Sequence, residues 1–310
     1  MESVEDDSRT LCGLPLRSVM RTYRAEMRRA HERVAAAGRA KVTTKWGEVE
    51  YVDEGAGTPL LMSHGILGGH DNIRDLVDLW AGPQYRAIGP SRFGYFGSGI
   101  PAGATVVDQA DAYVALLDHI EVERVVVLGV SAGGPSAIQL ALRHPDRLYG
   151  LILASSYLPG MARPLPSVLQ PVMRTAIGWQ YGWWLLSRYR PKLLARIMGV
   201  PKGWDASHDP DFLAIREALF PIAPKKLGAA FDALVSEPAS NSFPLEEIAV
   251  STMLVHAADD RLAPYKYVPV AVARIPHARL ATIEAGGHLF LEHAAEVRAA
   301  VGSFVAECLR

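Results

Sequence analysis

The sequence predicts an α/β fold with a mostly parallel central sheet that is flanked by helices. Short apolar runs alternate with helical stretches from Gly38 to the end of the chain. Within each run the apolar residues are continuous, which is typical of strands that are buried on both faces. The chain has 310 residues, of which 49% are hydrophobic and 21% charged, as in ordered globular proteins. A chain of this length can form one α/β core with an inserted segment.

The predicted elements begin with an N-terminal region, residues 1–40, that contains a frayed tail and a basic amphipathic helix. In residues 16–34, apolar side chains recur at three- and four-residue steps and arginines occupy much of the rest. A short antiparallel pair of strands then turns at Gly47. The remaining strands are predicted at 59–63, 85–89, 125–129, 148–154, 252–256 and 279–283, and the helices at 105–119, 132–144, 265–274 and 293–307.

A segment rich in proline and tryptophan interrupts this alternation. Residues 159–244 contain 11 of the 21 prolines and four of the six tryptophans. Proline disrupts helix interiors, so we expect several short helices with sharp turns here. We therefore predict a helical cap over 159–245, inserted into a core that consists of 41–158 and 246–310. A cap of this kind commonly encloses an apolar pocket, and its aromatics also form a small core of its own.

Charge and composition exclude several classes of protein. The net charge of −1 gives no electrostatic basis for nucleic-acid binding. Two cysteines, Cys12 and Cys308, cannot form a disulfide framework, and the histidines show no metal-ligand spacing. No apolar run is long enough to span a membrane, and the acidic N-terminus does not resemble a secretory signal, so we expect a cytoplasmic protein. No nucleotide-binding motif points to a cofactor.

The amphipathic helix at 16–34 leaves three interpretations open. Its apolar stripe can pack on the body of the protein, or on a second copy of the chain in a homo-oligomer. It can also contact an anionic membrane surface, because the other faces of the helix are rich in arginine. Packing within the protein or between copies is the simpler interpretation, since arginine is also an ordinary exposed helix residue.

The strongest chemical signal is a strand over 125–129 that leads into Gly129-x-Ser131-x-Gly133 and then directly into a helix. A serine hydroxyl becomes a useful nucleophile only when it is exposed, held still and paired with a base. A tight turn between strand and helix exposes the side chain, and glycines on both sides relieve crowding. The following helix directs its N-terminus toward the reacting centre, where it favours negative charge. Ser131 is therefore the candidate nucleophile.

Two later segments can supply a base and an acid. The strand at 252–256 is followed by Asp259 and Asp260, and His288 follows the last strand. Both positions are at carboxyl ends of strands, where open α/β sheets gather functional groups. The four-residue step from Asp260 to a proline favours Asp260 over Asp259, which we expect in a turn or on the surface. His256, within a strand, is expected to be core or to line a subsite.

Together these motifs resemble an α/β-hydrolase-fold serine hydrolase of the lidded, abhydrolase-1 type. The similarity covers about residues 42–310. The nucleophile turn at 129–133 and the acid and histidine segments match the family's triad motifs, and a His-Gly loop at 63–66 matches its oxyanion loop. The loop at 89–98 departs from the common form at Gly89-Pro90, where many members carry an aspartate.

The resemblance implies specific roles for five residues. Ser131 is the nucleophile, His288 is the general base and acid, and Asp260 holds the imidazole. The backbone N–H groups of Ile66 and Ala132 form the oxyanion hole. In the same loop, His64 is expected to brace the backbone through hydrogen bonds and not to react.

The reaction predicted from this resemblance is hydrolysis of a small or medium apolar carboxylic ester. Three alternatives use the same residues or fold: a carbon–carbon bond hydrolase, a perhydrolase, and a non-catalytic ligand-binding receptor. Carbon–carbon hydrolases usually carry an aromatic after the catalytic histidine and a lid arginine; here Leu289 follows His288, and Arg188 and Arg190 lie in the predicted cap. Besides Ile66, the predicted pocket residues are Leu67, Phe93, Trp183, Trp184 and Leu289.

Overall fold

An eight-stranded sheet forms the centre of the computed structural model, which describes residues 10–11 and 14–310. Most of the predicted tail, with Cys12, lies outside the described residues. The strands are β1 (Thr10–Leu11), β2 (Leu14–Pro15), β3 (Ala40–Thr44), β4 (Gly47–Glu54), β5 (Thr58–Ser63), β6 (Tyr85–Pro90), β7 (Val125–Val130), β8 (Leu148–Ala154), β9 (Thr252–Ala257) and β10 (Arg279–Ile283).

The order of the sheet is β10-β9-β8-β7-β5-β6-β4-β3, and β1 pairs separately with β2. Only the pairs that include β4 are antiparallel within this sheet; the others are parallel. The hairpin predicted at Gly47 is the β3–β4 turn. The predicted fold class, a mostly parallel sheet flanked by helices, is confirmed.

Helices cover both faces of the sheet, and six of them lie between β8 and β9. They are α1 (Leu16–Ala36), α2 (Ile73–Trp80), α3 (Val106–His119), α4 (Gly134–Arg143), α5 (Gln170–Gly178), α6 (Gln180–Tyr189), α7 (Pro191–Ile197), α8 (Pro210–Ala218), α9 (Lys226–Phe231), α10 (Glu237–Ser240), α11 (Val268–Arg274) and α12 (Ala294–Cys308). Helix α2 was not predicted, although its buried residues Ile73, Leu76, Val77 and Trp80 have helical spacing.

The central strands are apolar along their whole length because each face packs on a different layer of helices. Leu61 and Val127 belong to the core cluster on one face, whereas Leu60 and Val126 belong to the cluster on the other. All four side chains are fully buried. Burial of one such side chain stabilises the fold by about 1.5–3 kcal/mol. These two layers hold the carboxyl ends of β5, β7, β8 and β9 in fixed positions.

The helical insertion, as we call the segment between β8 and β9, consists of short helices. Pro171, Pro191, Pro210 and Pro238 each lie in the first turn of a helix. Proline is tolerated at this position because the missing N–H would have no partner within the helix. The prolines thus set where α5, α7, α8 and α10 begin, which explains why no long helix forms.

Helix α1 packs its apolar stripe against the body of the protein. Its buried residues include Val19, Met27 and Ala30. The Trp184 indole of the insertion donates a hydrogen bond to Glu26 at 2.6 Å, and its ring packs edge-on against Tyr23 with centroids 5.2 Å apart. This packing occupies the face that a membrane-bound amphipathic helix would insert. No helix within the described part of the chain is both long and apolar enough to cross a membrane.

Candidate active site

Ser131 lies at a strained turn at the carboxyl end of β7. Its φ is +50°, in the left-handed region that side chains other than glycine rarely adopt. The turn is closely packed: a Cβ at Gly129 would lie 2.6 Å from the Ala137 side chain, and one at Gly133 would lie 2.0 Å from the Ser63 carbonyl oxygen. Both positions therefore require glycine, as the sequence predicted, and the turn directs the hydroxyl out of the sheet.

His288 reaches this hydroxyl from the loop after β10. The loop turns through Gly286 and Gly287, with φ of +108° and +60°, and the N–H of Gly287 donates to Asp259 Oδ1 at 2.9 Å. The Nε2 atom of His288 lies 2.8 Å from Ser131 Oγ. Asp259 thus orients the histidine loop and does not contact the imidazole itself.

Asp260 is hydrogen-bonded through both oxygens. Oδ2 lies 2.8 Å from Nδ1 of His288, and Oδ1 accepts from the N–H groups of Leu262 and Ala263 at 2.8 and 3.0 Å. Burial acts to raise the pKa of this carboxyl, but the charge of His288 and the hydrogen bonds outweigh burial and hold the pKa well below its usual range. Asp260 is therefore a carboxylate at neutral pH. The structure brings Ser131, His288 and Asp260 together, linked in series by two hydrogen bonds.

His256 also contacts Asp260, a contact that was not predicted. Its Nε2 lies 2.7 Å from the carbonyl oxygen of Ala263 and 3.2 Å from Asp260 Oδ2. Both atoms are acceptors, so Nε2 carries the proton. His256 is buried and lies near the end of β9, four residues before Asp260. A four-residue spacing indicates a contact only within a helix, and here it spans a strand end and a turn, so no sequence signal pointed to this contact.

The loop after β5 lies directly against the nucleophile. A Cβ at Gly65 would be 3.3 Å from the Ser131 Cβ. Among the hydrogen bonds of the described chain, none uses the Ile66 N–H as donor. His64 Nδ1 donates to the Gly65 carbonyl at 2.8 Å, and Nε2 accepts from the Arg92 N–H at 3.1 Å. Burial and the Arg92 charge lower the pKa of His64 well below its ordinary value, so it is neutral and braces the loop.

An apolar cavity of about 150 Å³ adjoins Ser131 and His288. No arginine, lysine, aspartate or glutamate of the described chain lines it, and Asn72 contributes an amide to its wall. Its apolar wall includes Ile66, Leu67, Trp183, Ile215, Leu219 and Leu289. Four of these six were predicted pocket residues.

Two predicted pocket residues lie elsewhere. Phe93 is 1% exposed and packs in the core, with its ring 6.1 Å from that of Phe231. Trp184 packs on α1, as described above. Consecutive helical residues point about 100° apart, so Trp183 and Trp184 point in different directions, the first toward the cavity and the second toward α1. The prediction was wrong for Phe93 and Trp184.

The fold and this row of side chains define a hydrolase of the α/β type. Comparison with known families agrees: the alpha/beta hydrolase fold matches residues 58–295. The chain therefore belongs to the α/β-hydrolase-fold family.

Individual relatives are also hydrolases. An uncharacterized hydrolase, YcgS, of Bacillus subtilis (strain 168) is 38% identical over 117 residues, which span 37% of this chain and only 40% of that protein. The 2-hydroxymuconate semialdehyde hydrolase of Pseudomonas sp. (strain CF600) is 31% identical over 281 residues, 82% of this chain and 89% of that protein. A solved thermophilic esterase from Thermogutta terrifontis superimposes with a TM-score of 0.67 at 25% identity, covering 88% of this chain and 99% of that one.

Proposed function

We propose that the protein is a serine hydrolase that cleaves a small or medium apolar carboxylic ester through an acyl-enzyme at Ser131. One observation carries the proposal. Ser131 Oγ lies 2.8 Å from His288 Nε2, and His288 Nδ1 lies 2.8 Å from Asp260 Oδ2. A nucleophile in contact with a base, which is itself oriented by an acid, is the arrangement that activates a hydroxyl.

In this mechanism His288 accepts the Ser131 proton while Oγ attacks the ester carbonyl carbon. The N–H groups of Ile66 and Ala132 stabilise the tetrahedral oxyanion, and loss of one such donor typically lowers the rate about 10²–10³-fold. Collapse of the intermediate expels the alcohol, which takes the proton from His288. Water then attacks the acyl-enzyme, His288 again accepts a proton, and Ser131 leaves with that proton as the carboxylic acid is released. Asp260 remains ionised throughout and stabilises the transient imidazolium.

The cavity supports a small, uncharged acyl group as the substrate. Its volume of about 150 Å³ is below the roughly 300–1,000 Å³ typical of sites for drug-sized ligands. Burial of an unpaired charge in an apolar wall is strongly unfavourable. A neutral, short-chain ester meets both conditions.

A carbon–carbon bond hydrolase is the second candidate. The relative that matches 82% of this chain is named as a hydrolase of 2-hydroxymuconate semialdehyde, a ring-cleavage product. The substrate named there is a carboxylate, which favours a cationic partner. Arg188, one of the two arginines in the predicted cap, does not line the cavity and lies 3.9 Å from Glu26. Arg190 does not line the cavity either, and Leu289 takes the place of the aromatic expected after the histidine. These features favour the ester.

A series of p-nitrophenyl esters of increasing acyl length, run beside a ring-cleavage dienoate, tests the proposal. We expect turnover of short esters, with Ser131→Ala inactive and folded. Ser155→Ala is the matched control. Ser155 follows the neighbouring strand and also has a positive φ of 44°, and its buried hydroxyl has no hydrogen-bond partner among the residues that the structure describes. It should keep its activity.

Labelling with a fluorophosphonate separates a catalyst from a ligand-binding receptor, because only an activated serine reacts quickly. Wild type and Ser155→Ala should be labelled, and Ser131→Ala should not. Undiminished ester hydrolysis in Ser131→Ala, or a wild type that neither reacts with the probe nor hydrolyses any ester, would refute the proposal. Faster turnover of the dienoate than of every ester would instead assign carbon–carbon bond cleavage.

A further inference from the structure

A buried ionic network connects the helical insertion with the loop after β6. Asp232 begins the π-helical turn Asp232–Ser236 of the insertion and is fully buried. Both guanidinium Nη atoms of Arg92 donate to its carboxylate, with Nη2 at 2.5 Å from Oδ2. The Tyr95 hydroxyl donates to the same Oδ2 at 2.5 Å. Arg92 and Tyr95 are 2% and 0% exposed, so water cannot replace these bonds.

The same two side chains reach both halves of the proposed oxyanion hole. Arg92 Nη1 donates to the Ala132 carbonyl oxygen at 3.3 Å, and the backbone of Leu67 acts on the Tyr95 hydroxyl, whose pKa it lowers against the larger effect of burial. Through its own N–H, Arg92 also holds the His64 ring, which packs edge-on against Tyr95 with centroids 4.6 Å apart.

We propose that Asp232 is a positioning residue: acting through Arg92 and Tyr95, it holds the backbone on both sides of the oxyanion hole in place and makes catalysis depend on the docked insertion. The inference rests on the proposed function, since it assigns a role within that reaction.

The contacts of Arg92 and Tyr95 restrain the backbone next to the two proposed donors, the N–H groups of Ile66 and Ala132. Leu67 directly follows Ile66 and has a φ of +57°, a conformation that persists only where the surroundings enforce it. The His64 ring, which Arg92 and Tyr95 hold, donates from Nδ1 to the Gly65 carbonyl at 2.8 Å and so restrains the peptide that carries the Ile66 N–H. On the other half, the bond from Arg92 fixes the carbonyl of Ala132, whose own N–H is the second proposed donor. A shift of a few tenths of an ångström at either site weakens the stabilisation of the oxyanion.

Attachment of the insertion does not by itself require this network. Two main-chain hydrogen bonds already join the segments, from Gly228 N–H to the Gly94 carbonyl at 2.9 Å and from Phe96 N–H to the Pro224 carbonyl at 2.7 Å. A buried ion pair is often no more stabilising than an apolar contact of the same size. A positioning role explains why charges are placed here.

The test compares Asp232→Asn and Tyr95→Phe with wild type on an ester and its matched thionoester. Sulfur accepts hydrogen bonds less well than oxygen, so an intact oxyanion hole makes the ester react much faster than the thionoester. We expect kcat on the ester to fall about tenfold to hundredfold in Asp232→Asn, within the range for loss of one donor, with KM little changed. The ratio of ester to thionoester rates should fall with it, and Tyr95→Phe should give a smaller change in the same direction.

Asp71→Asn is the matched control. Asp71 is also a buried carboxylate, bound to Arg33 of α1 at 2.6 Å, but it contacts neither half of the oxyanion hole in any hydrogen bond of the described residues. This variant should lose thermal stability and keep the wild-type rate ratio. An unchanged ratio in folded Asp232→Asn and Tyr95→Phe, or an equal loss in Asp71→Asn, would overturn the inference.

Amide hydrogen exchange of segments 64–68 and 131–134 requires no substrate and separates the two proposals. Faster exchange there in Asp232→Asn, and not in Asp71→Asn, supports the positioning role. If the wild type hydrolyses no ester, the proposed function fails, and the exchange result still decides whether Asp232 holds these peptides. Unaltered exchange in Asp232→Asn counts against the inference whatever the activity.

Discussion

Replacement of Asp260 by asparagine should abolish most of the activity by forcing the wrong tautomer on His288. Asp260 Oδ1 accepts from the N–H groups of Leu262 and Ala263, whereas Oδ2 faces His288 Nδ1 and His256 Nε2. In Asp260→Asn, the amide oxygen must face the two backbone donors, because the opposite orientation would bury an NH₂ group against both of them. The NH₂ group then faces His288 Nδ1 and donates to it.

An imidazole that accepts at Nδ1 carries its proton on Nε2, where it cannot accept the proton of Ser131. In a protease with this arrangement the corresponding change lowers kcat about 10⁴-fold with little change in geometry, and we expect a loss of that order. The assay is kcat for p-nitrophenyl butyrate, followed by release of p-nitrophenolate, with circular dichroism to establish folding.

Asp259→Asn is the control for this prediction. Within the described part of the chain, Asp259 accepts a hydrogen bond from the Gly287 N–H alone, and an asparagine oxygen can replace that acceptor, so the loss should be a few-fold at most. If Asp260→Asn kept activity within about tenfold of wild type while folded, far from the 10⁴ expected, the tautomer argument would be wrong. A larger loss in Asp259→Asn than in Asp260→Asn would reverse the assignment of the acid.

Three further predictions concern stability. Burial, together with the charge of Asp232, raises the pKa of Glu237 to about 8, so the folded protein keeps a proton that the unfolded chain releases above its ordinary pKa. The stability from this proton is fully present below the ordinary glutamate pKa of 4.5 and is lost progressively as the pH rises from there to about 8; Glu237→Gln should therefore flatten the fall of Tm within this window, and parallel curves would contradict this. Thr105 and Asp108 form a capping box at the start of α3, so Thr105→Ala should cost about 1 kcal/mol in urea unfolding, and an unchanged midpoint would remove the cap's role. Deletion of residues 1–38 removes the helix that packs on Trp184 and should lower Tm far more than kcat; the reverse pattern would show that α1 serves the chemistry.

The sheet and the three candidate catalytic side chains could be predicted from the sequence because each depends on a local pattern. Continuous apolar runs predict buried strands wherever they occur, and the glycines around Ser131 are required by contacts within a few ångströms of the turn. Asp260 and His288 could be placed near Ser131 because parallel strands bring their carboxyl ends to one edge. The distances between the three side chains came only from the structure.

The predictions were wrong where a contact depended on the direction in which a side chain points and not on its position in the sequence. The sequence places Trp183 and Trp184 next to each other but does not show which one faces the cavity, since that depends on how α6 packs on α1. Phe93 follows a predicted strand near the site, yet its N–H binds the Gln109 side chain at 2.5 Å and its ring points into the core. Arg92 and Asp232 are separated by 140 residues, and no periodicity links them.

The catalytic side chains and the cavity wall come from different parts of the chain, which explains why the reaction was easier to predict than the substrate. Ser131, His288 and Asp260 lie on loops that follow core strands, and small changes of geometry there would remove the reaction, so their pattern is restrictive. The cavity wall instead combines core residues such as Leu289 with insertion residues such as Trp183, and many apolar side chains can fill such a wall. If Asp232 also ties the insertion to the oxyanion hole, then insertions that differ in length and composition can change the substrate only while they keep a carboxylate in that place, or replace the restraint by other contacts on Arg92 and Tyr95.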